Sequence, residues 1–280
     1  MKKDISIIVP SIRPQNLIKL YQSIESACKK HSFELIIPSP YIIPDALLKN
    51  PNVRFIHTHA NPTIAFQMAA LLCSSDFIYN TTDDGLLQPD IIDKAISIFR
   101  SDLSEKDMIN MTYIEGALEA STLEPTDSVF SNPHYANFSN KYWDAHYHEP
   151  LRLAGINPSW KLCIHFLMKL DYFYELGGFD CGYEYANHAI HDLAFRAQIN
   201  GSKVTNSPEI AFLCSHLPEA SGDHGPVQAA QEGPDLLRFN ELYSKPESVE
   251  RRIKIDYNSW KDRDSVWKRR FPMADLPIRL

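Results

Sequence analysis

Short apolar runs alternate with helical patterns along the first 115 residues of this chain, and this alternation most constrains the fold. The apolar runs cover residues 5–9, 33–37, 53–57, 76–80 and 108–113. Between the first two runs, Leu17, Leu20 and Ile24 lie on one face of a predicted helix. Alternating strands and helices with short connections predict an α/β fold whose central sheet is mostly parallel and has helices on its flanks.

The composition agrees with one large folded domain. A hydrophobic content of 44 % over 280 residues allows a sizeable core. No apolar run approaches the roughly 20 residues that cross a bilayer, and the N-terminus lacks a signal-peptide core, so we expect a cytoplasmic protein. The five cysteines include no Cys-x-x-Cys pair, which predicts neither a zinc site nor a disulfide framework.

The charge is unevenly distributed along the chain. The net charge is −7, yet residues 251–280 hold nine Lys or Arg against four Asp or Glu. The acidic remainder disfavours a nucleic-acid partner, which would need a basic face. The basic segment also contains Tyr257, Trp260, Trp267 and Phe271. It is therefore compatible with peripheral contact on an anionic membrane and equally with packing on the body of the protein.

Two adjacent carboxylates follow the fourth apolar run, at Asp83 and Asp84. In open parallel sheets, ligands bind at the carboxyl ends of the strands. A carboxylate pair with no neighbouring Lys or Arg needs hydrogen bonds, water or a metal cation. Mg²⁺ and Mn²⁺ commonly use one or two carboxylates together with substrate phosphates. Because Asp84-Gly85 is also a frequent turn dipeptide, spacing alone leaves a metal site and a polar turn open.

Four segments between residues 4 and 216 occur in an order that resembles the family 2 glycosyltransferases of GT-A fold. They are Pro10-Ser11-Ile12-Arg13; Asn61 with the helix through Leu72 and then Asp76–Tyr79; Thr82-Asp83-Asp84 followed by Leu87–Asp90; and Leu176–Asp180 with His191–Arg196 and Gly201–Val204. The resemblance implies a catalytic domain over residues 1–216 that binds nucleotide sugar and acceptor. Residues 217–280 would then be a flexible loop and a helical, basic and aromatic extension.

The resemblance also implies an activity and a set of roles. The activity would be inverting, hexosyltransferase-type transfer of a sugar from a nucleoside-diphosphate sugar to a glycan or lipid-linked acceptor, in polysaccharide biosynthesis, with Mg²⁺ or Mn²⁺. The implied nucleotide-binding residues are Pro10, Ser11, Arg13, Asn61 and Asp83, the metal ligands are Asp84 and His216, and the general base is Asp192. The alternative for Asp192 is that it caps its helix or pairs with Arg196 one turn later.

The chain departs from the family pattern in two places. Thr82 stands where the family usually has the first Asp of its metal motif, and Pro38-Ser39-Pro40 offers no carboxylate to read the base. The donor nucleotide therefore stays open. Residues 116–160 are rich in aromatic and histidine side chains, which suit contact with sugars. We expect the acceptor or donor sugar to contact Trp143 and Tyr147 there, together with Glu184 and His191.

Two alternative functions remain open at this point. The chain could be a non-catalytic GT-A-like protein that binds nucleotide or glycan. It could also be a metal-dependent hydrolase, because His146 and His148 beside Glu149 form a possible metal-ligand cluster. A nucleotidyltransferase is disfavoured, since residues 11–14 contain no glycine for a phosphate loop. The sequence leaves the oligomeric state open, including a homo-oligomer.

Overall fold

The computed structural model describes residues 2–114, 116–126, 159–215, 224–243, 254–263 and 266–273. The strands of these residues are β1 (Ile5–Ile8), β2 (Phe33–Ser39), β3 (Val53–His57), β4 (Phe77–Asn80), β5 (Gly85–Leu87), β6 (Met108–Asn110), β7 (Tyr113–Ile114), β8 (Phe166–Lys169), β9 (Val204–Asn206) and β10 (Phe212–Cys214). The α-helices are α1 (Leu17–Ala27), α2 (Asp45–Leu48), α3 (Pro62–Leu71), α4 (Ile91–Asp102), α5 (Leu170–Glu175), α6 (Ala186–Ile199), α7 (Gly225–Ala230) and α8 (Leu236–Tyr243).

Seven strands form the central sheet in the order β3-β2-β1-β4-β8-β6-β9. Neighbouring strands run parallel except at β8, which is antiparallel to both β4 and β6. The predicted mostly parallel sheet with flanking helices is therefore confirmed. A smaller sheet has the order β5-β10-β7, with β5 antiparallel and β7 parallel to β10.

The order of the first four strands determines where a ligand would bind. The chain proceeds from β1 outward to β2 and β3, then returns to place β4 on the other side of β1. Ile8 of β1 lies in register with Ile36 of β2 and with Asn80 of β4. The loops after β1 and β4 therefore leave the sheet side by side, at the switch point where open α/β sheets bind ligands.

Helix α3 shows how local sequence shapes this edge of the sheet. The side chain of Asn61 accepts a hydrogen bond from the backbone N–H of Ile64 at 2.8 Å, and Pro62 occupies the first turn. This is the capped helix start that Asn61-Pro62 predicts. Residues 63–70 of α3 are all buried, because the helix packs against β2 on one side and α6 on another.

The fifth apolar run is divided between the two sheets. Residues 108–113 were predicted as one strand, but β6 ends at Asn110 and β7 begins at Tyr113. Thr112 lies at the break, where its N–H donates to Ser207 Oγ at 3.0 Å and its C=O accepts from the N–H of Ala211 at 2.7 Å. These bonds satisfy the backbone that leaves the central sheet. The second sheet and the short helix α2 were not predicted.

The described parts of the C-terminal extension pack on the sheet domain. Gln67 Nε2 donates to the backbone O of Tyr257 at 2.9 Å, and Trp260 is buried. A Cβ on Gly177, whose φ is +86°, would lie 2.1 Å from the backbone O of Ile255. Gly177 thus permits both the turn after α5 and the close approach of the extension. Among the described helices, none has the length and apolar character needed to span a bilayer.

Candidate active site

A cavity lies where the carboxyl ends of β1 to β4 meet. The strand-end loops supply one side of its lining, through Pro10–Arg13, Pro38–Pro40, Thr58, Ala60 and Thr82–Asp84. The first turn of α6 and the C-terminal extension supply another side, through Tyr185–Asn187, Ile190, Trp267, Arg270 and Phe271. The structure thus brings together five of the predicted site residues: Pro10, Ser11, Arg13, Asp83 and Asp84.

Asp83 joins the loops that follow β1 and β4. Its Oδ2 accepts hydrogen bonds at 2.8 Å from Ser11 Oγ and from the backbone N–H groups of Ile12 and Arg13. Its Oδ1 lies 2.6 Å from Arg13 Nη1, in an ion pair that is mostly buried. Asp83 is only 3 % exposed, so its carboxylate organises the wall and keeps the Arg13 guanidinium at the cavity surface.

Asp84 is the half-buried member of the carboxylate pair. Its Oδ1 accepts a hydrogen bond from Thr82 Oγ1 at 2.5 Å. Thr82, which stands where the resembled family usually has Asp, thus orients the Asp84 carboxylate. The backbone O of Asp84 accepts from both the N–H and the Oγ of Ser215, at 2.7 and 2.8 Å. Asp84 is therefore held by hydroxyl and backbone donors, and it lines the cavity.

The donor set at this edge suits a hard divalent cation that also takes oxygen ligands from a substrate. Within the described residues, no group of three His, Cys, Asp or Glu side chains is arranged to enclose a metal ion. Mg²⁺ commonly binds through one or two carboxylates plus substrate phosphates, and Asp84 provides such a carboxylate. His216, the other predicted ligand, lies outside the described residues.

Asp192 does not face the cavity. Its side chain has no exposed surface, Arg196 Nε donates to its Oδ2 at 2.8 Å, and the Tyr243 hydroxyl donates to its Oδ1 at 2.7 Å. Ile190 of the same helix lines the cavity, and two residues turn an α-helix by about 200°. This placement matches the alternative, pairing with Arg196, and the role of general base stays a prediction.

Three other predicted residues lie beside the cavity or away from it. The Asn61 side chain caps α3, and together with Glu184 it lines a neighbouring cavity. Glu184 is paired with Arg269 at 2.9 Å and accepts from Trp267 Nε1 at 2.6 Å; the bond to Arg269 lowers the pKa of Glu184. His191 Nδ1 lies 2.8 Å from the backbone O of Cys163. Trp143, Tyr147, His146 and His148 lie outside the described residues.

A buried histidine supports the floor of the cavity, which we define as the lining residues Asn80 and Ile164. His165 Nδ1 lies 3.3 Å from the backbone O of Asn80, and its ring contacts those of Tyr113 and Phe212. Burial lowers the pKa of His165 to about 4, so the ring is neutral near pH 7. Asn80 itself is fixed by accepting from the N–H of Phe166 and donating to the O of Ile164, each at 2.8 Å.

A buried carboxyl group fixes the start of α6. Asp235 Oδ1 and Oδ2 accept the backbone N–H groups of Glu184 and Tyr185, at 2.9 and 2.7 Å. Burial raises the pKa of Asp235 to about 6 against these two bonds, which lower it. Tyr185–Asn187, at the N-terminus of the helix that starts here, line the cavity, and a helix N-terminus carries partial positive charge.

The sequence did not predict two parts of the cavity lining that come from distant parts of the chain, the start of α6 and the C-terminal extension. The start of α6 carries no motif that marks it as a wall. The aromatic and basic pattern of residues 251–280 was visible, but it fitted a membrane surface equally well. In the structure Trp260 and Trp267 are buried, and Trp267, Arg270 and Phe271 line the cavity.

The comparisons with known proteins show the fold of the chain. No protein-family model and no curated protein matches it. The mannosyltransferase PcManGT of Pyrobaculum calidifontis, solved with GDP-Man and Mn²⁺, is similar at a TM-score of 0.54 and 11 % identity, over 90 % of this chain and 68 % of that one. Residues 1–349 of TarS from S. aureus are similar at a TM-score of 0.50 and 11 % identity, over 89 % of this chain and 83 % of that one. The architecture is thus that of solved glycosyltransferases.

Proposed function

We propose that this protein is a glycosyltransferase that takes a sugar from a nucleoside-diphosphate sugar and transfers it to a glycan or lipid-linked acceptor. The observation that carries the proposal is the convergence of Arg13, Asp83 and Asp84 on one cavity at the switch point of the sheet. The fold shared with the Pyrobaculum mannosyltransferase and with TarS supports it.

The nucleoside would occupy the part of the cavity at the ends of β2 and β3. Pro38–Pro40, Thr58, Ala60 and Phe66 line this part, which is mainly apolar and suits a flat base. Since Pro38–Pro40 include no carboxylate, hydroxyl and backbone groups would supply the polar contacts to the base. A panel of nucleotides, rather than UDP alone, is therefore the appropriate probe.

The diphosphate would lie between the loop after β1 and the first turn of α6. Arg13 and the N-terminal N–H groups of α6 present positive charge there, where negative charge develops on the leaving diphosphate. Asp84 would hold Mg²⁺ or Mn²⁺, which when bound acts as a Lewis acid towards the diphosphate oxygens. Thr82 keeps the Asp84 carboxylate in place, and Asp83 keeps Arg13 in place.

The proposal is tested by nucleotide binding and transfer with a carboxylate variant and its matched control. UDP, GDP, TDP and CMP are added with and without Mn²⁺, and the shift in Tm is measured. One nucleotide should stabilise the wild type in a Mn²⁺-dependent way. Asp84→Asn should abolish the Mn²⁺-dependent part and lower sugar transfer from the matching donor by about 100-fold or more.

The control for this experiment is Asp90→Asn. Asp90 lies just before α4 in left-handed backbone, with φ of 58°, which Asn also tolerates, and its side chain is half-exposed beside Lys29. Asp90→Asn should keep both the Mn²⁺-dependent shift and the transfer rate. A wild-type protein that no nucleotide stabilises contradicts the proposal, as does an Asp84→Asn variant that behaves like wild type.

A second candidate is a nucleotide-binding protein without turnover. The burial of Asp192 against Arg196 favours it, because the predicted general base is turned away from the cavity. This candidate predicts the same nucleotide affinity and the same effect of Asp84→Asn, but neither transfer nor hydrolysis of any donor. The predicted inversion also rested on Asp192. If transfer occurs, the anomeric configuration of the product, read by NMR, tests inversion directly.

A further inference from the structure

The C-terminal extension contributes a distinct part of the cavity, which we name the C-terminal wall and define as residues Trp267–Phe271. The side chains of this short turn line two different cavities. Arg270 and Phe271 line the main cavity, Lys268 and Arg269 line the neighbouring one, and Trp267 lies between the two and lines both. The turn is closed by the N–H groups of Arg270 and Phe271, which donate to the O of Trp267 at 3.0 and 2.9 Å.

The wall is attached to both neighbouring elements of the site. The backbone N–H of Trp267 donates to the O of His59 at 2.8 Å, and the Phe271 ring meets the His59 ring edge-on with centroids 5.0 Å apart. On the other side, Glu184 bonds the Trp267 indole and the Arg269 guanidinium, directly before the first turn of α6. The wall therefore closes the edge between the end of β3 and the start of α6.

The charges in the cavity give the wall a function. Among the described residues that line the cavity, the guanidinium groups are those of Arg13 and Arg270. Asp83 lies 2.6 Å from Arg13 and compensates much of that charge, while Asp84 adds a second carboxylate. A nucleoside diphosphate brings further negative charge into the same space. Its binding therefore favours a cation besides Arg13, and Arg270 lines the same cavity from the C-terminal wall.

The Arg270 side chain is also stacked on an aromatic ring of the same turn. Its guanidinium carbon lies 5.5 Å from the centre of the Trp267 ring, in a cation–π contact, and its side chain is half-buried. A guanidinium that is already stacked loses less freedom when it binds, and its planar fork matches phosphate oxygens. This arrangement is expected of a residue that binds an anion.

We infer that Arg270 binds the diphosphate of the donor, so that the C-terminal wall completes the nucleotide site. The inference rests on the proposed function and adds to it a residue and a segment beyond the strand-end loops. It also gives the basic extension a role inside the molecule. Phe271 and Trp267 then cover the base and ribose side of the same ligand.

Calorimetric titration separates a contact to the diphosphate from a contact to the base. The nucleoside diphosphate that binds the wild type is compared with the corresponding nucleoside, each titrated into wild type, Arg270→Gln, Arg270→Lys and Lys268→Gln. Lys268→Gln is the matched control, because it removes the same charge from the same turn on the face away from the cavity. The Tm of each variant, measured without ligand, reports whether the turn stays folded.

Arg270→Gln should weaken the diphosphate by about 10- to 100-fold and leave the nucleoside within about twofold, because a hydrogen-bonded charge is lost. Arg270→Lys should fall between, and Lys268→Gln should match wild type. Equal diphosphate affinity in wild type and Arg270→Gln overturns the inference, and so does an equal loss for nucleoside and diphosphate. A wild-type protein that binds no nucleoside diphosphate overturns the proposed function instead.

Discussion

Two carboxylate–arginine pairs in this protein have the same chemistry but different surroundings in the fold. The pair Arg13–Asp83 lies on the cavity surface, and the arginine keeps 13 % of its side chain exposed. The pair Arg196–Asp192 has no exposed surface on either side chain. One pair shapes a surface that a ligand could reach, and the other joins α6 to the core. A charged residue beside a motif is therefore informative about function only after the direction of its side chain is known.

The buried Asp192–Arg196 pair connects α6 to two other parts of the protein. Arg196 bonds Asp192 and also donates to the backbone O atoms of Leu176 and Gly178, at 2.6 and 2.5 Å. The hydroxyl of Tyr243 donates to the second carboxylate oxygen of Asp192. The pair thus links α6 to the Gly-Gly turn after α5 and to α8. At the cavity, by contrast, the carboxylate of Asp83 is bonded by backbone and side-chain groups of a single loop, residues 11–13.

The largest expected effect is on folding, at Asp192. Asp192→Asn leaves the buried Arg196 charge without its counter-charge and should lower the free energy of unfolding by about 3–5 kcal/mol. Asp83→Asn should cost less, about 1.5–3 kcal/mol, because Arg13 remains partly hydrated. Urea unfolding at neutral pH measures both. Nucleotide affinity should show the reverse order, with the loss at Asp83.

Two results would show that the two pairs do not differ in this way. If Asp192→Asn keeps wild-type stability and nucleotide affinity but abolishes transfer, Asp192 acts in the reaction, and the buried pair opens during turnover. If Asp83→Asn is the more destabilising variant, the Arg13–Asp83 pair at the cavity contributes more to folding than the buried Asp192–Arg196 pair.

An intermediate effect is expected at His165, beneath the cavity floor. The pKa of His165 falls from 6.5 to about 4 on folding, so between those values the unfolded chain binds a proton that the native protein excludes. Stability from this group is complete above pH 6.5 and decreases as the pH falls, by about 3 kcal/mol near pH 4. If water is excluded from His165 as it is from the Asp192–Arg196 pair, this whole effect should be measured.

His165→Phe tests the floor, since it keeps a ring of similar size and removes the titrating group. The acid-induced loss of unfolding free energy, compared between about pH 7 and about pH 4.5 by urea titration, should be smaller in His165→Phe than in wild type. Equal losses in wild type and His165→Phe would show that water reaches the floor.

The parts of the fold that follow from local pattern were predictable, and the parts that depend on distant contacts were not. Residues 53–57 form β3 as predicted, and Asn61 caps α3 as predicted, because each signal lies within a few residues. The direction of Asp192 depends on which face of α6 meets the cavity. The C-terminal wall depends on Trp267 meeting His59, more than 200 residues earlier in the chain, and its composition fitted a membrane surface equally well.

The smallest expected effect is at Asn61, where the sequence predicted a nucleotide contact and the structure shows a helix cap. Asn61→Ala removes the acceptor for the N–H of Ile64 and should cost about 1 kcal/mol, a fall in Tm of roughly 2–4 °C at this chain length. Asn61→Ser retains a capping oxygen and should recover most of that loss. Since Asn61 lines the neighbouring cavity, both variants should bind nucleotide like wild type. If Asn61→Ser is as stable as wild type yet binds nucleotide more weakly, the ligand extends past the C-terminal wall into the second cavity, and the boundary drawn between the two cavities is wrong.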